Sequence, residues 1–511
     1  MFASVLSAAI SGMDVCLVQV EADVSDGLPF FTMVGFPSTQ VKEAQDRVRT
    51  ALKNNGISLP PRKVTVNLAP ADLRKEGAGF DLPVAAAVLA ASGFIEPELL
   101  QNVMIVGELS LNGEVRGVSG VLPRVIRARE LGCRYCIIPF GNLEEGTLVK
   151  DMKVIGVRNI KEVLKYVSAP EQFDKERQLL EAEPEENGTE EGNVDFSEIC
   201  GQESARRAAE IAVSGFHNIL FTGSPGTGKT MLAKRIPTIM PSLTFEESLE
   251  LTKIYSIAGL LSPKRPLIQA RPFRNPHHTS SPTSLAGGGR IPHPGEVTLA
   301  HRGVLFLDEM PEFTRRTLEV LRQPLEDKQI RLSRASGTYV FPAGFILVAA
   351  MNPCPCGYYP DMNKCRCTPG EVSHYLSKLS HPLLERIDLC ADVPPVKFSQ
   401  ISGEKQGESS AVIRERVENV RKIQQKRYEK EKICFNGELS GKQIQKYCIL
   451  TENALKMAKK AFELMELSAR SYHRILKVSR TIADMDGEEL IHERHVAEAL
   501  TYKTFDKKYQ N

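Results

Sequence analysis

Gly223-Ser224-Pro225-Gly226-Thr227-Gly228-Lys229-Thr230 packs three glycines, a lysine and three hydroxyls into eight residues. The run fits G-x-x-x-x-G-K-[ST] at every fixed position. Glycines let a backbone curl until several N–H groups point at one oxyanion, and a helix beginning there adds its dipole. The lysine of such a loop reaches the β and γ phosphates of a nucleoside triphosphate, and the next hydroxyl holds Mg²⁺. Lys229 and Thr230 fill those two positions, so ATP and Mg²⁺ are the expected ligands.

Two further groups suit the same chemistry. Gly303-Val304-Leu305-Phe306-Leu307-Asp308-Glu309 reads as a buried strand ending in two carboxylates. Asp308 would hold Mg²⁺ through water, and Glu309 would orient and deprotonate the attacking water, the Walker B arrangement. Alone this is a weak signal; about 80 residues after a phosphate loop it is a strong one. The apolar run Gly344 to Met351 ends at Asn352, whose amide would hold the water or the γ-phosphate without adding charge, a sensor-1 role.

Cys354, Cys356, Cys365 and Cys367 place four thiols within 14 residues. That suits a closed tetrahedral Zn²⁺ site stapling the loop after Asn352, with no position open for catalysis. The alternative is free thiolates stabilised by Lys364 and Arg366. His277 and His278 suggest a metal less well, because sequence neighbours rarely converge on one ion.

These groups need elements to hold them. Asn218 to Thr222 reads as a buried strand ahead of the phosphate loop, and Met231 onward as a helix behind it. From about 194 strands and helices alternate, as in a nucleotide-binding sheet. After about 408 the pattern becomes helical and charged, ending in Ile491 to Tyr502. The first 167 residues mix short apolar runs (Thr65–Leu68, Val103–Val106, Tyr135–Ile138) with a helical stretch at Asp81–Ala91, giving α+β or α/β. Residues 168–193 form an acidic stretch without apolar periodicity and read as a flexible linker; an acidic mimic of nucleic acid is the other reading. The expected division is 1–167, 168–193, 194–400 and 401–511.

At 511 residues the chain exceeds one core, and its 42% hydrophobic content is ordinary for a soluble protein. No apolar run approaches a membrane span, and Met1 to Leu6 lack a secretory pattern. Eleven mostly unclustered cysteines suit a reducing cytoplasm. The net charge of +2 hides an asymmetry. Residues 168–198 carry 11 acidic and 2 basic side chains, leaving 63 basic against 52 acidic elsewhere. That is compatible with a nucleic-acid partner.

In order, the phosphate loop, Asp308-Glu309, Asn352, Arg386 between a helix and a strand, and Arg470 with Arg474 one helical turn apart resemble the AAA+ ATPases. The branch is the one that includes magnesium chelatase. Gly27-Leu28-Pro29-Phe30-Phe31-Thr32-Met33-Val34-Gly35, Val66 to Gly77, Val106 to Gly113, Asn352-Pro353-Cys354-Pro355-Cys356-Gly357 and Arg480-Thr481-Ile482-Ala483-Asp484 narrow the resemblance to the ComM/YifB type.

The resemblance implies an α/β multidomain protein: an AAA+ core with a carboxy-terminal helical lid, and an amino-terminal Lon-protease-like domain. It implies a homo-hexameric motor promoting branch migration on single-stranded or branched DNA, as used in natural transformation. Arg386 would be a finger acting on a neighbouring subunit, and Arg470, or Arg474 beside it, the sensor-2 arginine. For each, a surface ion pair is the plain alternative. The segment Arg271 to Arg290 would be a helix-2 insert. Lys328 to Val340 would be a pre-sensor-1 hairpin, whose Arg331 and Arg334 either meet a phosphate backbone or are solvated. Lon proteases need a serine–lysine pair, yet this chain reads Gly77-Ala78-Gly79-Phe80-Asp81 and Ser119-Gly120-Val121-Leu122 there, so proteolysis is not expected. The rival function is a magnesium-chelatase-like ATPase that remodels a protein partner.

Overall fold

The computed structural model describes residues 1–171, 173–174, 194–262, 265–290, 292–334, 337–396, 407–431 and 433–503. Of the expected linker 168–193, the first residues are not a flexible link: Ser168 ends helix Ile160–Ser168, Phe173 is buried in the core and Asp174 pairs with Lys153 at 2.8 Å. The acidic stretch at 175–193 lies outside the described residues, and so do Ala335 and Ser336 of the expected hairpin. The chain forms two compact units. One comprises the described residues of Met1–Glu190, Ser248–Ile268 and Ile291–His293, and the other those of Glu191–Glu247, Gln269–Arg290 and Pro294–Asn511. Two stretches from inside 194–400 therefore belong to the amino-terminal unit.

That unit is built on a seven-stranded sheet in the order Phe31–Val34, Lys63–Ala69, Asp14–Ser25, Phe2–Ser11, Val103–Ile105, Tyr135–Pro139, Val154–Val157. The two longest strands form an antiparallel hairpin, and parallel strands extend the sheet from Phe2–Ser11. Helix Asp81–Ala91 has all eleven residues buried. A helix apolar all round has no solvent face, which fits its place under the hairpin. Its first residue, Asp81, is a buried carboxylate, gripped by Arg47 through Nε at 2.8 Å and Nη2 at 2.9 Å. Burial pushes the Asp81 carboxyl up, and Arg47 opposes that. Removing Arg47 would strand the charge, at about 3–5 kcal/mol.

The second unit holds a five-stranded sheet, parallel throughout, in the order Phe273–Arg274, Val304–Leu307, Ile346–Met351, Ile219–Thr222, Leu389–Asp392. Val304–Leu307, Ile346–Met351 and Ile219–Thr222 are buried at every residue, as expected of parallel strands covered on both faces. These three are adjacent, so the segments leaving their carboxyl ends converge on one crest of the sheet, where open α/β sheets bind ligands.

Helices Ser410–Arg427, Gly441–Tyr447, Glu452–Leu464, Ala469–Met485 and Glu493–Thr501 complete this unit. The stretch Arg480 to Asp484 is structural. Arg480 and Arg427 both pair with the buried Asp484, at 3.0 and 2.5 Å, and Thr481 Oγ1 lies 2.8 Å from His217 Nε2. Among the described residues, no helix is long and apolar enough to cross a membrane.

Candidate active site

The phosphate loop leaves strand Ile219–Thr222 and turns through Gly226 (φ 76°) and Gly228 (φ 90°). Both angles are left-handed, which only glycine adopts without strain. Helix Lys229–Ile239 starts at once, so its free N–H groups and dipole face the loop's concavity. Lys229 is buried, and its Nζ donates to Gly223 O at 2.8 Å, Ser224 O at 2.9 Å and Asn352 Oδ1 at 3.1 Å. Burial pushes its ammonium below the ordinary lysine value, while Asp308 and Glu309 oppose that. An incoming phosphate would replace the two carbonyls as acceptor.

Thr230 Oγ1 donates to Asp308 Oδ2 at 2.8 Å, so the two expected Mg²⁺-positioning groups already touch. Glu309 sits at φ 49°, ψ 46°, before the short turn Met310–Glu312. A glutamate held in that region costs of order 1 kcal/mol and persists only where its surroundings fix it. Glu309 and Asn352 line one cavity of about 450 Å³ with Glu312, His374, Tyr375 and Lys378. Oxygen, hydroxyl and glycine positions thus fit a Mg²⁺–nucleotide. The metal would neutralise charge on the β and γ phosphates. Lys229 would hold the same oxygens, Asn352 would fix Lys229, and Glu309 would take a proton from water in the adjoining cavity.

The arginines lie elsewhere. Arg386 is buried, bonded by Nη2 to Glu326 at 2.6 Å and by Nη1 to Pro382 O at 2.5 Å. Arg470 is half-exposed and pairs with the same Glu326 at 2.8 Å and with Glu385 at 3.5 Å. Arg474 turns inward to Asp388 (3.5 Å) and Ile387 O (3.2 Å). Burial works to raise the Asp388 carboxyl, yet Arg474, His217 and Lys477 outweigh it and hold it below the usual range. Among the described residues, no ion pair or hydrogen bond joins Arg386 or Arg470 to Lys229, Asp308, Glu309 or Asn352.

The four cysteine sulfurs lie within 4.8 Å of one another. Cys354, Cys356 and Cys365 have sulfurs 3.4, 3.6 and 3.8 Å apart. Zn–S bonds of about 2.3 Å in a tetrahedron set S···S edges of about 3.8 Å, so the spacing fits Zn²⁺. Backbone N–H groups of Gly357 and Tyr359 donate to Cys354 Sγ at 3.2 and 3.4 Å, which orients it as a ligand. The same loop reaches the phosphate loop. Gly357 (φ 85°) lies so close to Pro225 that an added Cβ would fall 2.8 Å from Pro225 Cγ and nearer still to its Cδ.

The expected hairpin is present, Gln329–Arg334 pairing antiparallel with Gly337–Pro342. Arg331 and Arg334 are exposed on it, and Arg334 Nε donates to Gly289 O at 3.2 Å. The hairpin thus meets the glycine run Gly287-Gly288-Gly289. His277 and His278 stack with ring centroids 4.0 Å apart, and His277 Nδ1 lies 2.8 Å from Thr279 Oγ1. The one metal-competent cluster among the described residues is the cysteine one.

Sequence reasoning passed over Gln202. In a left-handed conformation (φ 54°), it donates Nε2 to Thr227 O at 2.5 Å and to Pro394 O at 3.3 Å, tying the phosphate loop to the segment after the last strand. A single glutamine carries no spacing signal; the Cys200-Gly201-Gln202 turn ahead of a helix was the only hint.

Comparison with known proteins agrees in its coverage. The family described as magnesium chelatase, subunit ChlI, matches residues 195–401, its C-terminal family matches 407–503, and a further ChlI family matches 20–142. Competence protein ComM of Haemophilus influenzae is 44% identical over 98% of this chain and 97% of its own. The uncharacterized protein YifB of Salmonella typhimurium is 42% identical over 98% and 96%. DNA repair protein RadA of Bacillus subtilis is 31% identical over 32% of this chain and 35% of its own. With similarity running almost end to end, the chain belongs to the magnesium-chelatase-like family of ComM and YifB proteins.

Proposed function

We propose that the protein is an AAA+ ATPase that drives movement on DNA as a ring of identical subunits, six by family resemblance. The observation that carries the hydrolytic part is the convergence of Lys229, Thr230, Asp308, Glu309 and Asn352 on the ends of three adjacent parallel strands. The ring rests on the family resemblance, which makes Arg386 a finger acting on a neighbouring subunit. Arg386 lies off its own phosphate site, buried against Glu326 and Pro382 O, and would have to leave that pair to reach a neighbour's site. Arg470 is the sensor-2 candidate, its half-exposed guanidinium sharing Glu326, whereas Arg474 is engaged with Asp388.

The DNA assignment rests on the names ComM and RadA, on the basic balance outside the acidic stretch, and on exposed Arg331 and Arg334 of the hairpin. In this reading residues 194–400, apart from the described residues of Ser248–Ile268 and Ile291–His293, are the motor core, 401–511 its lid, 1–167 a Lon-like domain without proteolysis, and the acidic stretch after Asp174 a tether. Cys354, Cys356, Cys365 and Cys367 hold a structural Zn²⁺. No disulfide joins any of the eleven cysteines, which suits the cytoplasm.

The test is steady-state ATP hydrolysis without DNA and with single strands, duplex and a four-way junction, each at two salt concentrations. Salt-sensitive stimulation, largest with single-stranded or branched DNA, is expected. The family matches to magnesium chelatase favour a second reading, an ATPase that remodels a protein partner. A flat response to every DNA would reject the motor and leave that reading.

A further inference from the structure

The amino-terminal unit encloses a cavity of about 380 Å³ that the nucleotide chemistry does not use. Gly77, Gly79, Ser119, Arg124, Glu76 and Glu108 are among its lining residues. Its size suits a ligand of amino-acid to dipeptide dimensions, at the small end of ligand pockets.

Arg124 is the anomaly. Its side chain is 7% exposed, which puts a guanidinium almost wholly out of bulk water. Nε donates to Ala8 O at 2.9 Å, and Nη1 to Ser119 O at 2.7 Å and Gly120 O at 3.3 Å. Among the described residues, Nη2 has no acceptor and no carboxylate pairs with Arg124. The buried acid nearby, Glu145, is spent on other donors: Leu122 N at 2.8 Å, the Ser256 hydroxyl, and Asn142 Nδ2 at 3.0 Å. Burial pushes the guanidinium down to about 10, so it is still charged at neutral pH. Glu145 acts on Arg124 through its charge but makes no ion pair or hydrogen bond with it, and a buried guanidinium N–H left without an acceptor is costly.

The free Nη2 points where an anion fits. It lies 4.0 Å from the place a Cβ on Gly79 would occupy, and the missing side chain leaves that space open. Gly77 precedes, and Gly79 lies within, the turn Ala78–Phe80 that leads into the eleven-residue helix Asp81–Ala91. The rest of the lining opposes a phosphate. Glu76 is neutralised by Arg74 at 2.6 Å; the Glu108 side chain makes no hydrogen bond or ion pair among the described residues, though its charge acts on the Arg47 guanidinium. A cavity lined by one guanidinium N–H group and one carboxylate, each without a hydrogen-bond or ion-pair partner among the described residues, matches a ligand with both charges.

We propose that this cavity binds a small zwitterion, an amino acid or dipeptide, with its carboxylate on Arg124 Nη2 and its ammonium toward Glu108. The site is independent of the nucleotide reading.

Calorimetric titration of the full chain tests it, using each of the twenty amino acids and L-alanyl-L-alanine, with acetate and inorganic phosphate as single-charge controls. Saturable binding of at least one zwitterion below about 1 mM is expected, with both controls far weaker. Gly79→Val fills the space beside Nη2. A Cβ there meets only ordinary contacts of 3.7–4.0 Å, and circular dichroism with thermal unfolding checks that Gly79→Val, with Gly79→Ala as the smaller step, keeps the fold. Gly79→Val should weaken binding by about tenfold or more, and Arg124→Gln and Glu108→Gln should do the same. Arg124→Gln also loses bonds to Ala8 and Ser119, so Gly79→Val carries the test if that variant fails to fold. No binding by any zwitterion overturns the proposal. So does phosphate or acetate binding as tightly as the best zwitterion, or Gly79→Val binding as wild type does.

Discussion

Gly357→Ala perturbs the nucleotide site from outside it. The residue has φ 85°, where a Cβ costs about 1 kcal/mol. The new methyl would also fall 2.8 Å from Pro225 Cγ, well inside ordinary contact, and relief of such overpacking costs about 1–3 kcal/mol. The cysteine loop is tied at Cys354 by two N–H···S bonds, whereas the phosphate loop must hold one curl to bind, so the strain falls on Pro225 and its neighbours. If half of about 3 kcal/mol opposes the binding-competent curl, ATP affinity falls about tenfold. The assay is titration with a fluorescent ATP analogue at fixed Mg²⁺, alongside zinc content per chain. Gly370→Ala is the control, because nothing lies within 4 Å of its added Cβ and its φ is ordinary. Affinity for Gly357→Ala within about twofold of wild type, with zinc retained, would refute the coupling of the cysteine loop to the phosphate loop.

Glu309→Gln should keep ATP binding and assembly while turnover falls at least about a hundredfold; near-normal steady-state hydrolysis would remove Glu309 as the base. Mixing Arg386→Ala with Lys229→Ala subunits should restore part of the ATPase activity each lacks, and no rescue at any ratio would reject action between subunits. Purified protein should carry one Zn²⁺ per chain by elemental analysis, and Cys365→Ser should lose it; a metal-free wild type with four titratable thiols would reject the zinc site. His495 accepts the His492 N–H on Nδ1 at 3.0 Å, and burial lowers its pKa below the ordinary histidine value. The unfolded chain therefore takes up its proton first, and stability from this residue, complete at pH above about 6.5, is lost as pH falls toward the folded pKa. Urea unfolding at pH 7.5 and 5.5 should show wild type losing more stability than His495→Gln, and equal losses would contradict the buried neutral imidazole.

Short-range order explains what could be read without coordinates. The phosphate loop, the strand before Asp308-Glu309 and the strand before Asn352 are contiguous apolar runs ending in polar groups, and Ile219–Thr222, Val304–Leu307 and Ile346–Met351 lie where those runs are. Helix Asp81–Ala91 matches its apolar stretch residue for residue. Gln202, Glu326, Gly357 and Arg124 gain meaning only from partners far along the chain: Thr227, Arg386 with Arg470, Pro225 and Ala8. No periodicity encodes such approaches, because they depend on how sheet and helices stack. The membership of Ser248–Ile268 in the amino-terminal unit is of the same kind, since a helical pattern at Phe245–Ala258 says nothing about which core receives it.

Glu326 holds two guanidiniums with one carboxylate, and that sharing makes the two arginines thermodynamically linked. Whatever draws Arg386 away leaves the whole negative charge to Arg470, tightening the grip on helix Ala469–Met485 where that arginine sits. By reciprocity, anything that pulls Arg470 toward another anion must hold Arg386 more firmly at Glu326, and by the same free energy. A single carboxylate thus sets the two arginines in opposition within each subunit.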